Sequence, residues 1–278
     1  MPAAPSGLLE RCISTESAYF ELGNDVSLSP LARFVSNPDT PEIWDSNCVT
    51  RPRASTPGEV DELMAETGRR YRAAGHRFFK IDPLVPPAVE ARLLLDGYSA
   101  DTMLHLLLPA REPVSDISSR SRPRAGGRSS ITIRPVTTDG DWASLARLAR
   151  ADHEEAAARE GRIVWSREVT DQMVARKRSR SDVLPFFLAS VDGLDVGHGC
   201  AWSGTPDDRV GMVEDLFTDP GHRHRGVATA LITHGADHAR GGGAGPVMIG
   251  AAADDTPRTM YAAMGFRPLF VSRSYVST

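Results

Sequence analysis

The sequence predicts an α/β chain, of the α+β kind, made of two halves that repeat one pattern. Three observations predict this. The stretch REPVSDISSRSRPRAGGRSS, residues 111–130, has no apolar period and is rich in Ser, Arg, Pro and Gly, the composition of a linker rather than a core. Both flanking halves, 1–110 and 131–278, close on the same succession of helix, strand, helix and strand. LLLDGY at 93–98 matches YAAMGF at 261–266, which makes Gly97 and Gly265 equivalent.

The elements can be justified in order. In the first half, TPGE at 56–59 is a capping box with proline at the first helical position. The predicted helix runs to Gly75 with Val60, Leu63, Met64, Thr67 and Tyr71 on one face. HRFFKI is a strand, PPAVEARLLLDGY a short proline-started helix ended by Gly97, and ADTMLHLLL a strand. Trp44 sits in the turn-rich NPDTPEIWDSN, where a large aromatic either walls a cleft or anchors the loop.

In the second half ITIRPV alternates as a strand does. Asp139 or Asp141 caps the helix WASLARLARADHEEAAARE, whose apolar face holds Trp142, Leu145, Leu148 and Ala149. Asp192–Gly193 joins two strands as a hairpin. RVGMVEDLF is a further strand. A helix over 226–240 is stopped by Gly241, Gly242 and Gly243. PVMIGAAA is a buried strand, Thr256 and Pro257 start a short helix that Gly265 ends, and RPLFVSRSYV is the last strand.

Composition bounds the function. With 278 residues the chain can bury a sizeable core. No run of about 18 apolar residues suggests a membrane span, and MPAAPSGLLERC lacks the basic and apolar regions of a secretory signal. Cys12, Cys48 and Cys200 are scattered, without a CxxC pair, which argues against a disulfide framework and against zinc. A reducing, cytoplasmic setting is expected. The net charge of −4 disfavours nonspecific nucleic-acid binding by the whole surface. Two local basic runs remain, the linker arginines 111, 120, 122, 124 and 128, and ARKRSR at 175–180.

The stretch DPGHRHRGVATALI, 219–232, packs basic and imidazole side chains into a turn and runs straight into a small-residue helix. A helix start exposes unpaired N–H groups and the positive end of the helix dipole. Gly226 lets the backbone turn tightly and lets a ligand approach; Ala228 is small, Thr229 adds a hydroxyl, and Arg223 and Arg225 add charge. Such a turn can cradle a phosphate, or it can be a solvated basic turn before a helix. It is neither a Walker motif nor GxGxxG. The corresponding helix of the first half begins STPGEV, without a basic glycine turn.

With its surroundings, the turn resembles the pyrophosphate loop (R/Q-x-x-G-x-G/A) of the GNAT superfamily of N-acyltransferases. EDLFTDPGHRHRGVATALI is similar to that family's central strand and loop, and TPRTMYAAMGFRP to its second motif. The resemblance covers the second half, and the first half resembles a degenerate copy. It implies two tandem GNAT-like lobes, each a mixed, mostly antiparallel sheet flanked by helices.

The resemblance further implies acetyl-CoA, or another acyl-CoA, as co-substrate, with no metal. The pyrophosphate would lie on Arg223, His224, Arg225, Gly226, Val227, Ala228 and Thr229. The pantetheine arm would run along Leu216, Phe217 and Thr218, the last standing where valine is more usual, and a backbone N–H there would polarise the thioester carbonyl. Glu214 resembles the general base of the polyamine-acetylating branch and Tyr261 the general acid beside the sulfur; each is otherwise a surface carboxylate or a packed ring. Period-2 alternation sends Asp215 to the opposite face from Glu214. Acceptor specificity would come from residues 153–167, with Glu154, Glu155 and Glu160 as attractors of a cation or as an ordinary charged face. His234 and His238 have the i, i+4 spacing of metal ligands without a third in view. His198 would line the acceptor pocket or be packed. The expected acceptor is the amine of a small molecule or peptide; a tRNA-borne aminoacyl donor bound by the arginine runs is the alternative, and a non-catalytic CoA-binding protein is a third reading.

Overall fold

The structure is a computed structural model that describes residues 7–117, 130–161 and 164–278. Its elements are α1 (Leu8–Glu21), β1 (Asp25–Leu28), β2 (Arg33–Ser36), β3 (Cys48–Thr50), α2 (Pro57–Arg70), β4 (Arg77–Ile81), α3 (Pro87–Leu95) and β5 (Ser99–Leu108). There follow β6 (Ile131–Pro135), α4 (Asp139–Glu160), α5 (Arg167–Ser179), β7 (Phe186–Val191), β8 (Leu194–Trp202), β9 (Gly211–Thr218), α6 (Val227–Gly241), β10 (Val247–Ala252), α7 (Pro257–Ala263) and β11 (Arg267–Ser277). The fold is mixed α/β with mostly antiparallel strands. Helix, strand, helix, strand does occur twice, as α2-β4-α3-β5 and α6-β10-α7-β11.

The contacts divide the chain into two compact units. The first holds residues up to His105 with Gly250–Arg258 and Pro268–Thr278; the second holds Leu106–Ile249 with Thr259–Arg267. Most of the last strand, which ends the second half in sequence, is therefore packed in the first unit.

In the first unit the strands run β1-β2-β3-β4-β11-β5. β11 pairs antiparallel with β4, Tyr275 opposite Phe79. Leu63 and Val60 of α2, Leu93 and Val89 of α3, Phe79 and Tyr275 form the core, each large apolar side chain contributing about 1.5–3 kcal/mol by leaving water. The expected capping box is present: Thr56 accepts from the Glu59 N–H, and Glu59 accepts from the Thr56 N–H. α2 ends at Arg70 rather than 75. The Tyr71 hydroxyl lies 2.8 and 2.6 Å from the Val35 and Cys48 carbonyls, and Gly75 reverses the chain at φ +71. Trp44 packs against His76 and Phe78 and so anchors its own loop.

In the second unit the order is β10-β9-β8-β7-β6. All pairs are antiparallel except β9 with β10. The β7–β8 hairpin turns at Asp192 and Gly193, both at positive φ, as the sequence predicts. α4 is capped by Thr138 rather than by an aspartate, because Asp141 stands at the third helical position and closes the box back onto the Thr138 N–H. α6 lies close on the sheet: a Cβ at Gly235 would come within 3.1 Å of Val213 and 3.4 Å of Ala201. Its Val227 and Leu231 pack with Phe187, Ala189 and Val196.

Residues 111–117 of the expected linker are tied to the second unit, where Ser115 N–H donates to Met264 O and Arg267 pairs with Glu112. Arg120, Arg122, Arg124 and Arg128 lie outside the described residues. Among the described residues no helix is long and apolar enough to cross a membrane, and Cys12, Cys48 and Cys200 are free and buried.

Candidate functional site

β9 is paired on both edges only over its first half. Its parallel register with β10 runs from Gly211 to Val213, opposite Val247 to Ile249, and Leu216–Thr218 have no ladder partner on that edge among the described residues. On the other edge, Glu214 faces Cys200 and Phe217 faces His198, with a shift between them. Two steps on β8 thus span three on β9, a β-bulge carrying one extra residue. Asp215 takes the left-handed conformation there, φ +55, which aspartate tolerates better than most residues.

Glycines on β8 make room for the bulge. A Cβ at Gly199 would lie 2.8 Å from the Leu216 side chain, and one at Gly197 2.8 Å from the Phe217 carbonyl oxygen. Leu216 is turned toward α6 and packs with its apolar residues. Gly197 and Ala201 face α6 as well, so Cys200 leaves the other face. Glu214, its cross-strand partner, leaves that face too. The Asp215 carboxylate lies 3.8 Å from Cys200 Sγ. The bulge therefore brings Glu214 and Asp215 to one face, and the opposite-face expectation is corrected: period-2 alternation holds only where no residue is inserted.

Beyond β9 the chain makes a single turn of 3-10 helix at Pro220–His222. Asp219 holds it, accepting from the Gly221 N–H at 2.9 Å. His224 follows at φ +59 and Gly226 at φ +89. Gly226 is the N-cap of α6 and no side chain caps that helix. Its first N–H groups therefore lack intrahelical acceptors, and the first turn carries no acidic residue. Arg225, Gly226 and His224 are exposed, Ala228 and Thr229 partly so, while Val227 is buried in the core. Arg223, expected to add charge to the turn, is held within the protein. Its guanidinium makes a two-pronged pair with Glu155 of α4 at 2.7 and 2.5 Å, and Nε donates to Thr218 O at 3.0 Å.

On the α4/α5 side the bulge meets a buried charged cluster that sequence reasoning missed. Lys177 of α5, 7% exposed, lies 2.5 Å from Asp215 Oδ2, and Arg180 lies 4.0 Å from the same oxygen. Burial alone would raise the Asp215 pKa, but Lys177 and then Arg180 overcome it and hold the carboxyl below its usual range. Asp152 of α4 is pushed up to about 6, first by burial and then by the Asp215 charge. Burial and the neighbouring Lys177 charge lower His198 to about 4. His198 is 3% exposed and neither ring nitrogen meets hydrogen-bond geometry, although the nearby Asp215 backbone favours its protonated form. Cys200 is raised by burial and then by Asp215.

ARKRSR is thus partly internal. Lys177 and Arg180 are buried, and Arg178 pairs with Asp139 at 2.7 Å. One signal for Lys177 was present in the sequence: it and Lys80 are the two lysines of an arginine-rich chain. Lys80 is likewise held in an ion pair, 3.2 Å from Asp45.

Tyr261 of α7 is 5% exposed, its ring 6.4 Å from that of Phe266. Glu154 pairs with Arg150 one turn away, and the Glu160 side chain lies outside what is described. The His234 and His238 rings pack edge-on against Phe187. Among the described residues no group of three or more His, Cys, Asp or Glu side chains is placed to hold a metal.

Residues 142–266 match the model of the acetyltransferase (GNAT) family. No curated protein matches the sequence. Among solved structures, the chain is similar to a functionally unknown conserved protein from Staphylococcus epidermidis ATCC 12228, with TM-score 0.67 and 12% identity over 92% of this chain and 94% of that one. It is similar also to a GCN5-related N-acetyltransferase from Kribbella flavida, with TM-score 0.66 and 14% identity over 98% and 96%. A tandem GNAT protein from the clavulanic acid biosynthesis pathway aligns with TM-score 0.53 and 16% identity over 80% and 70%. At such identities the likeness is one of fold.

Proposed function

Because residues 142–266 are an acetyltransferase domain of the GNAT family, we propose that the second unit binds acetyl-CoA, or another acyl-CoA, and passes the acyl group to the amine of a small molecule or peptide. One conjunction supports this reading. At Leu216–Thr218 β9 has no ladder partner on one edge among the described residues, and the same strand leads through a glycine turn to an uncapped helix N-terminus. Unpaired backbone and an anion cradle thus follow each other along one segment, as a pantetheine arm and its pyrophosphate do.

The pyrophosphate would accept from the N–H groups of residues 224–229, favoured by the α6 dipole. Arg223 shapes the turn through Glu155 and Thr218. The pantetheine amides would pair with the free edge at Leu216, Phe217 and Thr218. The acceptor nitrogen attacks the thioester carbonyl, the C–S bond breaks, and the amide C–N bond forms in one ternary complex. The amine's proton passes to Glu214, and Tyr261 protonates the departing thiolate. Backbone N–H groups beside the bulge would stabilise the oxyanion between these steps. A tRNA donor draws less support, since Lys177 and Arg180 of the basic run are buried. Three buried free thiols fit a reducing, cytoplasmic setting.

Thermal melting with acetyl-CoA tests the reading. At a hundred times its dissociation constant the ligand should add about 2.7 kcal/mol to stability. Gly226→Glu should abolish that gain by setting a carboxylate against the pyrophosphate. Gly226→Ala carries the same φ +89 strain without the charge and should keep more of it. Absence of any shift in the unmodified protein sinks the proposal.

A further inference from the structure

The bulge on β9 depends on a charged group that lies outside the strand. Asp215 occupies the left-handed region at φ +55 and turns its carboxylate, on a side chain 27% exposed, toward the buried cations of α5 and the turn after it. There Lys177 Nζ lies at 2.5 Å and Arg180 Nη2 at 4.0 Å. The Lys177 ammonium also lies 5.4 Å from the Phe186 ring centre. The neighbouring His198 is kept toward its neutral form by burial and the Lys177 charge, and Cys200 Sγ stands 3.8 Å away, so neither replaces a cation. Removing the nearer cation from this half-buried carboxylate leaves only the more distant Arg180 and is unfavourable. The carboxylate escapes by taking a proton or by turning outward, and turning outward means rotating the backbone at residue 215.

That backbone leads directly into Leu216, Phe217 and Thr218. Any rotation at 215 re-aims the N–H and C=O groups of the free edge, whereas the phosphate turn is anchored separately. Asp219 holds the 3-10 turn, Asp219 N–H donates to Val196 O at 2.8 Å, and Arg223 is fixed on Glu155. The two parts of the candidate donor site thus have different supports.

We propose that Lys177 is a positioning residue for acyl transfer: its ion pair with Asp215 holds the β9 bulge in the form that aims the backbone of residues 216–218 at the thioester arm. This rests on the acyl-CoA reading above. Lys177 would touch neither substrate, and its effect would be confined to the pantetheine half of the donor.

The test uses the full chain and two probes, acetyl-CoA and 3′-phosphoadenosine 5′-diphosphate, the nucleotide end of the same molecule. Calorimetry on Lys177→Met should show acetyl-CoA binding weakened about tenfold, the nucleotide bound within twofold of the unmodified protein, and partial recovery in Lys177→Arg. Equal weakening of both probes, or no change in either, overturns the proposal. If Lys177→Met does not fold, as judged by circular dichroism, Lys177→Met combined with Asp215→Asn leaves no stranded carboxylate. That double variant should show the same selective loss, and normal acetyl-CoA affinity in it overturns the proposal. Failure of the unmodified protein to bind acetyl-CoA would instead remove the acyl-CoA reading itself.

Discussion

Asp152 shows what one residue's surroundings do to its charge. Burial and the Asp215 carboxylate raise its pKa from 3.8 to about 6, so folding disfavours its ionised form. Below about pH 4 the group is protonated in both folded and unfolded chains and costs nothing. Between about 4 and 6 the unfolded chain ionises first, and the penalty grows as pH rises. Above 6 the group is ionised in both states and the penalty is constant. Asp152→Asn should therefore gain stability over the unmodified protein as pH climbs from 4 to 6, by about 3 kcal/mol, and keep that margin to pH 8. Melting curves of the two proteins across that range check it; a difference that shrinks with rising pH contradicts it. A carboxyl poised near 6 beside Asp215 also shows that the acidic character of this region is not confined to β9.

Between elements, the instructive comparison is α2 with α6, the matching helices of the two repeats. Each starts after a turn with its N–H groups pointing outward. In α2 the Glu59 carboxylate already accepts from the Ser55 and Thr56 N–H groups. Those bonds, Ser55 first, bring its pKa down to about 2. The anion place of α2 is thus filled by the chain's own side chain. In α6 a glycine stands at the cap, and no side chain reaches back. One acetyl-CoA per chain is the expected stoichiometry, measurable by titration calorimetry. Two equivalent sites would mean that the capping box of α2 opens for a ligand.

For the whole molecule, the last residues of the chain support the first unit. Tyr275 is 2% exposed in the first unit's core, its hydroxyl donating to Glu90 at 2.7 Å. Ser272 donates to the buried Glu16, and His105 lies 2.8 Å from the same hydroxyl. Tyr275→Ala should cost about 3–5 kcal/mol, as large aromatic truncations in a core do. The amides of Arg77–Ile81, which β11 covers, should lose hydrogen-exchange protection, while those of Phe186–Val191 in the second unit keep theirs. The reverse pattern would contradict the assignment of β11 to the first unit.

What the sequence determined by itself is local. The capping box at Thr56, the paired positive φ at Asp192 and Gly193, the glycine cap of α6 and the helix-ending Gly97 and Gly265 are set by what a few consecutive residues can do with their backbone. α1, β1, β2, β3 and α5 were not legible in that way, since short half-buried strands and a helix as polar as REVTDQMVARKRS show little period. Tertiary structure alone decided that Glu214 and Asp215 share a face, that Arg223 is spent on Glu155, that Lys177 is buried beneath the bulge, and that β11 pairs with β4. Each of these depends on groups far apart in the chain. A bulge changes which face a residue takes without altering the residue, and a strand's partner is chosen by the edge and core that receive it rather than by its own alternation.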